Sequence, residues 1–91
     1  MLYYPTFVPQ NNEPYFAVYP NPATGRFRIY TGTKDNRGRY FRIMDMTGRI
    51  VYSGNLEQKE TLIDISDQAK GFYMVTIITE KGKKTEKLVL Q

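Results

Sequence analysis

Asp64 with Asp67, and Glu57 with Glu60, are the spacings in this chain that come nearest to an acid/base couple. Paired carboxylates do general acid–base work when a cleft holds a substrate between them and pushes their pKa values apart. Ser53 and Ser66 carry hydroxyls that a nucleophilic mechanism would use, but the sequence has no histidine to activate either one. With no histidine and no cysteine, the commonest zinc ligands and any thiolate chemistry are missing as well. A domain of 91 residues without tryptophan is a poor host for a substrate cleft. The residues therefore point away from catalysis, metals and cofactors. The absence of cysteine excludes a disulfide framework and fits either redox compartment.

A formal net charge of +4 raises nucleic acid as a partner, and Arg26, Arg28, Arg37, Arg39, Arg42 and Arg49 do gather in the first half. Arg26, Arg28 and Arg42, however, fall on the polar positions of alternating strands, where a solvated face is expected. Phe27, Tyr30, Tyr40 and Phe41 interleave with them without forming a ribonucleoprotein or helix-turn-helix pattern. Nucleic-acid binding is not expected. The longest mostly apolar run, Phe72 to Ile78, is far short of the roughly 18 residues that a spanning helix needs, so no membrane insertion is expected. The stretch Met1-Leu2-Tyr3-Tyr4-Pro5 has neither the basic region nor the long apolar core of a signal peptide.

The elements that must position these residues read as strands. Residues 1–15 carry Pro5, Pro9 and Pro14 and read as an extended linker, with the folded domain covering 16–91. From Phe16 a two-residue period begins, and Pro20-Asn21-Pro22 ends the first strand because neither proline has an amide to donate. Phe27 and Ile29 are the inward residues of a second strand. A polar loop, Thr31 to Gly38, follows with its tight point at Asn36-Arg37-Gly38. The third strand, Arg39 to Met44, turns Phe41 and Ile43 inward. Asp45-Met46-Thr47-Gly48 makes a short hairpin, with Gly48 at the left-handed position. The fourth strand runs Arg49 to Ser53 and is broken by Gly54-Asn55. The fifth runs Lys59 to Asp64.

Ser66 to Lys70 reads as one helical turn, with Ser66 as N-cap and Gly71 as the left-handed stop. Phe72 to Thr79, apolar on both faces, is a central strand, and Lys84 to Leu90 closes the sheet with Leu88 and Leu90 inward. Seven antiparallel strands with frequent turn signals and no long helix predict an all-β, immunoglobulin-like β-sandwich. Gly71-x-Tyr73-x-Val75 leads into the most apolar strand, where the tyrosine hydroxyl of a tyrosine corner bonds the backbone upstream. Val75 occupies the place that an immunoglobulin gives to its second cysteine.

Four motifs recur in order: Tyr19-Pro20-Asn21-Pro22, Asp45-x-x-Gly48-Arg49-x-Val51, Ile63-Asp64-Ile65-Ser66 leading to Gly71-x-Tyr73-x-Val75, and Lys87-Leu88-Val89 in the last strand. Each is weak alone. Together, in this order and spacing over Phe16 to Gln91, they resemble the C-terminal sorting domains of proteins exported by the type IX secretion system of Gram-negative bacteria. The resemblance implies an address: a domain behind a larger N-terminal cargo, recognised by an outer-membrane translocon and removed at the cell surface by a sortase-like peptidase. It implies passage through the periplasm to the outer-membrane surface or the medium, and a chain that is a piece of a longer exported protein. Its recognition residues would be Tyr19, Pro20, Asn21, Pro22, Asp45, Gly48, Gly71, Tyr73, Lys87, Leu88 and Val89. Some members keep the domain and work in signalling.

The different-class alternative is a terminal adhesive or carbohydrate-facing module, which would need an exposed aromatic platform, with Tyr30, Tyr40 and Tyr52 as its members. The last strand is expected at a sheet edge, where pairing with a second copy would give a homodimer.

Overall fold

A computed structural model describes residues 16–32, 39–80 and 82–91. The linker 1–15 and the tight point Asn36-Arg37-Gly38 lie outside the described residues. Among the described residues seven strands form: β1 (Ala17–Tyr19), β2 (Arg26–Tyr30), β3 (Tyr40–Asp45), β4 (Ile50–Asn55), β5 (Glu60–Asp64), β6 (Gly71–Thr79) and β7 (Gly82–Leu90). All strand pairs are antiparallel, in a three-stranded sheet ordered β1-β2-β5 and a four-stranded sheet ordered β4-β3-β6-β7. The chain changes sheet between β2 and β3, β4 and β5, and β5 and β6, as a sandwich requires if neither sheet is to keep an open apolar face.

Alternation decides what lies between the sheets. Phe27 and Ile29 of β2, Ile63 of β5, Phe41 and Ile43 of β3, Val75 and Ile77 of β6, and Leu88 of β7 are each at most 3% exposed. Burying an aliphatic or aromatic side chain of this size contributes about 1.5–3 kcal/mol. Leu56 and Ile65, just outside the strands, complete the core from the connections. As expected, β6 is central, flanked by β3 and β7.

The structure departs from two local expectations. Gly54 and Asn55 do not break the fourth strand; they continue β4, paired with Phe41 and Tyr40. A Cβ at Gly54 would come 3.1 Å from the Phe41 ring, tight enough that the ring would have to give by a few tenths of an ångström, so glycine suits this close approach. Nor do residues 66–70 form a helical turn. The Gln68 amide donates to the Ile65 carbonyl at 2.9 Å, closing a single β-turn. Ser66 does not act as an N-cap, because its hydroxyl donates to Asp64 Oδ1 at 2.6 Å and its amide donates to the same oxygen at 2.9 Å. A side chain bound to the residue behind it cannot cap the turn ahead.

Candidate functional site

The segments singled out by sequence converge on one end of the four-stranded sheet. Asp45 of β3 lies opposite Tyr73 of β6, and Tyr73 lies opposite Leu88 of β7, so the three form one rung across the sheet. Asn21 extends that rung beyond β7. Its Nδ2 donates to the Lys87 carbonyl at 2.7 Å and its Oδ1 accepts from the Val89 amide at 3.0 Å, bracketing Leu88. A carboxamide offers a donor and an acceptor side by side, as a peptide group does, so Asn21 pairs with the edge of β7 as a strand residue would. Pro20 and Pro22 have no amide N–H, which leaves donation to Asn21 and to the residue after the motif. Both X-Pro bonds, Tyr19-Pro20 and Asn21-Pro22, are cis.

Ala23 continues the contact. Its amide donates to the Val89 carbonyl at 2.8 Å, its carbonyl accepts from the Gln91 amide at 2.7 Å, and it bridges Leu90 in parallel. The edge of β7 expected to be open is therefore covered by the chain's own residues 21–23 at its C-terminal end. Sequence reading missed Ala23, which is 1% exposed. No periodicity marks a lone alanine within a turn.

Tyr73 is 5% exposed and its hydroxyl donates to the Ala69 carbonyl, the tyrosine-corner bond. Gly71 opens β6 at φ +146°, a conformation that L side chains rarely adopt. The Asp45 hairpin is held from within. Asp45 Oδ1 accepts from the Thr47 hydroxyl at 2.5 Å, the Thr47 amide at 2.9 Å and the Arg49 amide at 3.1 Å, while Oδ2 accepts from Arg49 Nε at 3.1 Å. These donors, the Thr47 hydroxyl first, outweigh desolvation and hold the carboxyl down to a pKa of about 2. Gly48, at φ +89°, closes the turn with its amide on the Asp45 carbonyl at 3.0 Å.

The last motif divides between core and surface. Leu88 is fully buried, so its side chain is part of the packing. Lys87 is exposed on the outward face, with Nζ 4.5 Å from the centroid of the Phe72 ring, a cation–π contact. Phe72 is itself 49% exposed, and no motif marks it as lying beneath a lysine.

Asp64 is occupied by Ser66 and by Arg26 Nε at 3.3 Å, and the Ser66 hydroxyl is the main cause holding its pKa below the ordinary carboxylate value. A carboxylate held ionised is ill suited to pass a proton near neutral pH. Glu60 accepts from the Tyr19 hydroxyl and pairs with Arg28 Nη1 at 3.5 Å. Tyr30, Tyr40 and Tyr52 do not assemble into a platform. Tyr30 belongs to the three-stranded sheet, whereas Tyr40 faces outward on β3 and Tyr52, opposite inward Ile43, packs on Phe41 at 5.7 Å between ring centroids.

A family model described as "Secretion system C-terminal sorting domain" matches residues 17–91. No curated protein matches the chain. Among solved structures, the chain is similar to a DUF3244 family protein with an immunoglobulin-like β-sandwich fold from Bacteroides vulgatus ATCC 8482. The TM-score is 0.71 at 19% identity, covering 88% of this chain and 87% of that one. At that identity the likeness speaks for the fold, and the immunoglobulin-like sandwich is the fold of this chain.

Proposed function

The chain belongs to the family of secretion-system C-terminal sorting domains, and we propose that it is read by the type IX translocon at the end of the sandwich where β7 meets the Tyr19–Pro22 segment. The observation that carries this reading is the double hydrogen bond of Asn21 to Lys87 and Val89. It fastens the first motif of the chain to the last. With the Asp45–Tyr73–Leu88 rung, a composite surface exists only once the domain has folded, so a translocon that reads it admits folded cargo tails and ignores unfolded chains.

On this reading the domain works by protein–protein recognition, without catalysis or cofactor. It rides behind an N-terminal cargo from the periplasm to the outer-membrane surface or medium. A sortase-like peptidase then cuts in the residues ahead of β1, where proline and polar residues suit an extended substrate. Lys87 and Val89 offer outward side chains to the receptor, while Leu88, Gly71 and Tyr73 hold the surface in shape. Dimerisation through the β7 edge would be confined to the part of that strand before Lys87.

The test is a reporter enzyme with a signal peptide, fused ahead of this chain and expressed in a bacterium that has a type IX system. The reporter is expected at the surface or in the medium, and in the periplasm of a strain lacking the translocon. Equal periplasmic retention in both strains would refute the assignment.

A further inference from the structure

The two outward sheet faces treat their cations differently. On the three-stranded sheet, Arg26 pairs with Asp64 at 3.3 Å and Arg28 with Glu60 at 3.5 Å. On the four-stranded sheet the register turns Arg42, Lys83 and Lys87 outward, and among the described residues no outward position of β3, β4, β6 or β7 carries a carboxylate. Arg42 Nε is buried without a hydrogen-bond partner among the described residues, a donor whose desolvation none of them offsets.

Beside these cations runs an apolar stripe. Ile50, Met44 and Met74 lie in register across β4, β3 and β6, with Phe72 and Val89 on the adjoining rung. Ile50 is 50% and Phe72 49% exposed. Unbranched methionines adapt to the contours of a protein partner.

We infer that the outward face of the four-stranded sheet docks a protein surface of the export machinery in which apolar side chains are bordered by carboxylates. This deepens the sorting reading and rests on it. Charge chooses the occupant. A second copy would bring Arg42, Lys83 and Lys87 against the same cations, and like charges across an interface work against association. Of the anionic surfaces left, a protein fits better than a bilayer, because only Ile50 and Phe72 of the stripe stand exposed while Met44, Met74 and Val89 are half-buried in the sheet, which is less than the broad apolar face that inserts among lipids.

Two matched substitutions in the reporter fusion test it. Met44→Glu places a carboxylate in the stripe, and Leu62→Glu places one on the outward face of the other sheet, where Leu62 is 59% exposed. Met44→Glu is expected to slow export at least tenfold in a chain that still melts cooperatively, with Leu62→Glu within twofold of wild type. A folded Met44→Glu exported at the wild-type rate would overturn the inference and leave the sorting reading standing.

If Met44→Glu does not fold, a photoreactive benzoylphenylalanine at position 83 decides during export. Cross-linked envelope-protein peptides rich in Asp and Glu support the face. No cross-linked protein, a second copy of the chain, or binding of the chain to phosphatidylglycerol vesicles in place of protein cross-links overturns it. A wild-type fusion that is not exported refutes the sorting reading and takes this inference with it.

Discussion

Asn21 and Val89, 68 positions apart, are joined by a hydrogen bond of 3.0 Å in which a side-chain carbonyl takes the place of a strand partner. Asn21→Ala removes this bond and the one to Lys87, at a cost of about 1–2 kcal/mol for two exposed neutral hydrogen bonds. Amide exchange at Val89 should accelerate, while the Tyr73 amide, in the middle of the sheet, keeps its protection. Unchanged exchange at Val89 would mean that the edge of β7 is held by something other than Asn21.

The Tyr73 hydroxyl ties β6 to the turn before it by donating to Ala69. Tyr73→Phe leaves the ring buried and leaves that carbonyl without its donor, so it should lower unfolding stability by about 1–1.5 kcal/mol in urea titration. A loss below the error of the titration would show that the corner bond contributes nothing net.

Stability should also fall in acid in a defined window. Asp45 has a folded pKa of about 2, below the roughly 3.9 of an unfolded aspartate. A depressed carboxyl contributes stability above its unfolded pKa and loses it as pH falls through the folded value. Asp64, also lowered, acts with the same sign. The urea midpoint should therefore be level down to about pH 5 and decline between about pH 4 and pH 2. Asp45→Asn should flatten that decline, and a variant with an identical slope would contradict the assignment to Asp45.

Cleavage during export should fall between Gln10 and Phe16, because a peptidase binds extended chain and this polar, proline-containing stretch lies ahead of the first described strand, which starts at Ala17. Mass spectrometry of the released fragment gives its first residue. A fragment starting between Arg26 and Val51 would place the boundary inside the sheets and refute the expectation.

Much of this fold was legible because alternation is a local signal. Phe27, Ile29, Phe41, Ile43, Leu88 and Leu90 are buried where a two-residue period puts them. What escaped the sequence depends on partners distant in the chain. Gly54 looks like a breaker until the Phe41 ring is placed above it, and Ser66 looks like a cap until Asp64 takes its hydroxyl. Tyr19, directly opposite outward Arg28, is still only 3% exposed, its hydroxyl on Glu60. At the candidate site, each motif could be named from the sequence, yet their meeting could not. The Asn21 clamp spans 66 and 68 positions and leaves no periodic trace.

The central claim, that the clamped end of β7 is the signal, is tested most directly by the export rate of one fusion. It carries Lys87→Ala and a few residues appended after Gln91, which alter the outward side chain and the end of the strand without touching Leu88 or Leu90. A substitution at exposed Lys87 usually changes stability by less than about 0.5 kcal/mol, and a thermal melt verifies that the domain is folded. The account predicts a folded reporter fusion that stays in the periplasm while the wild-type fusion reaches the surface. A folded variant exported at the wild-type rate would contradict it.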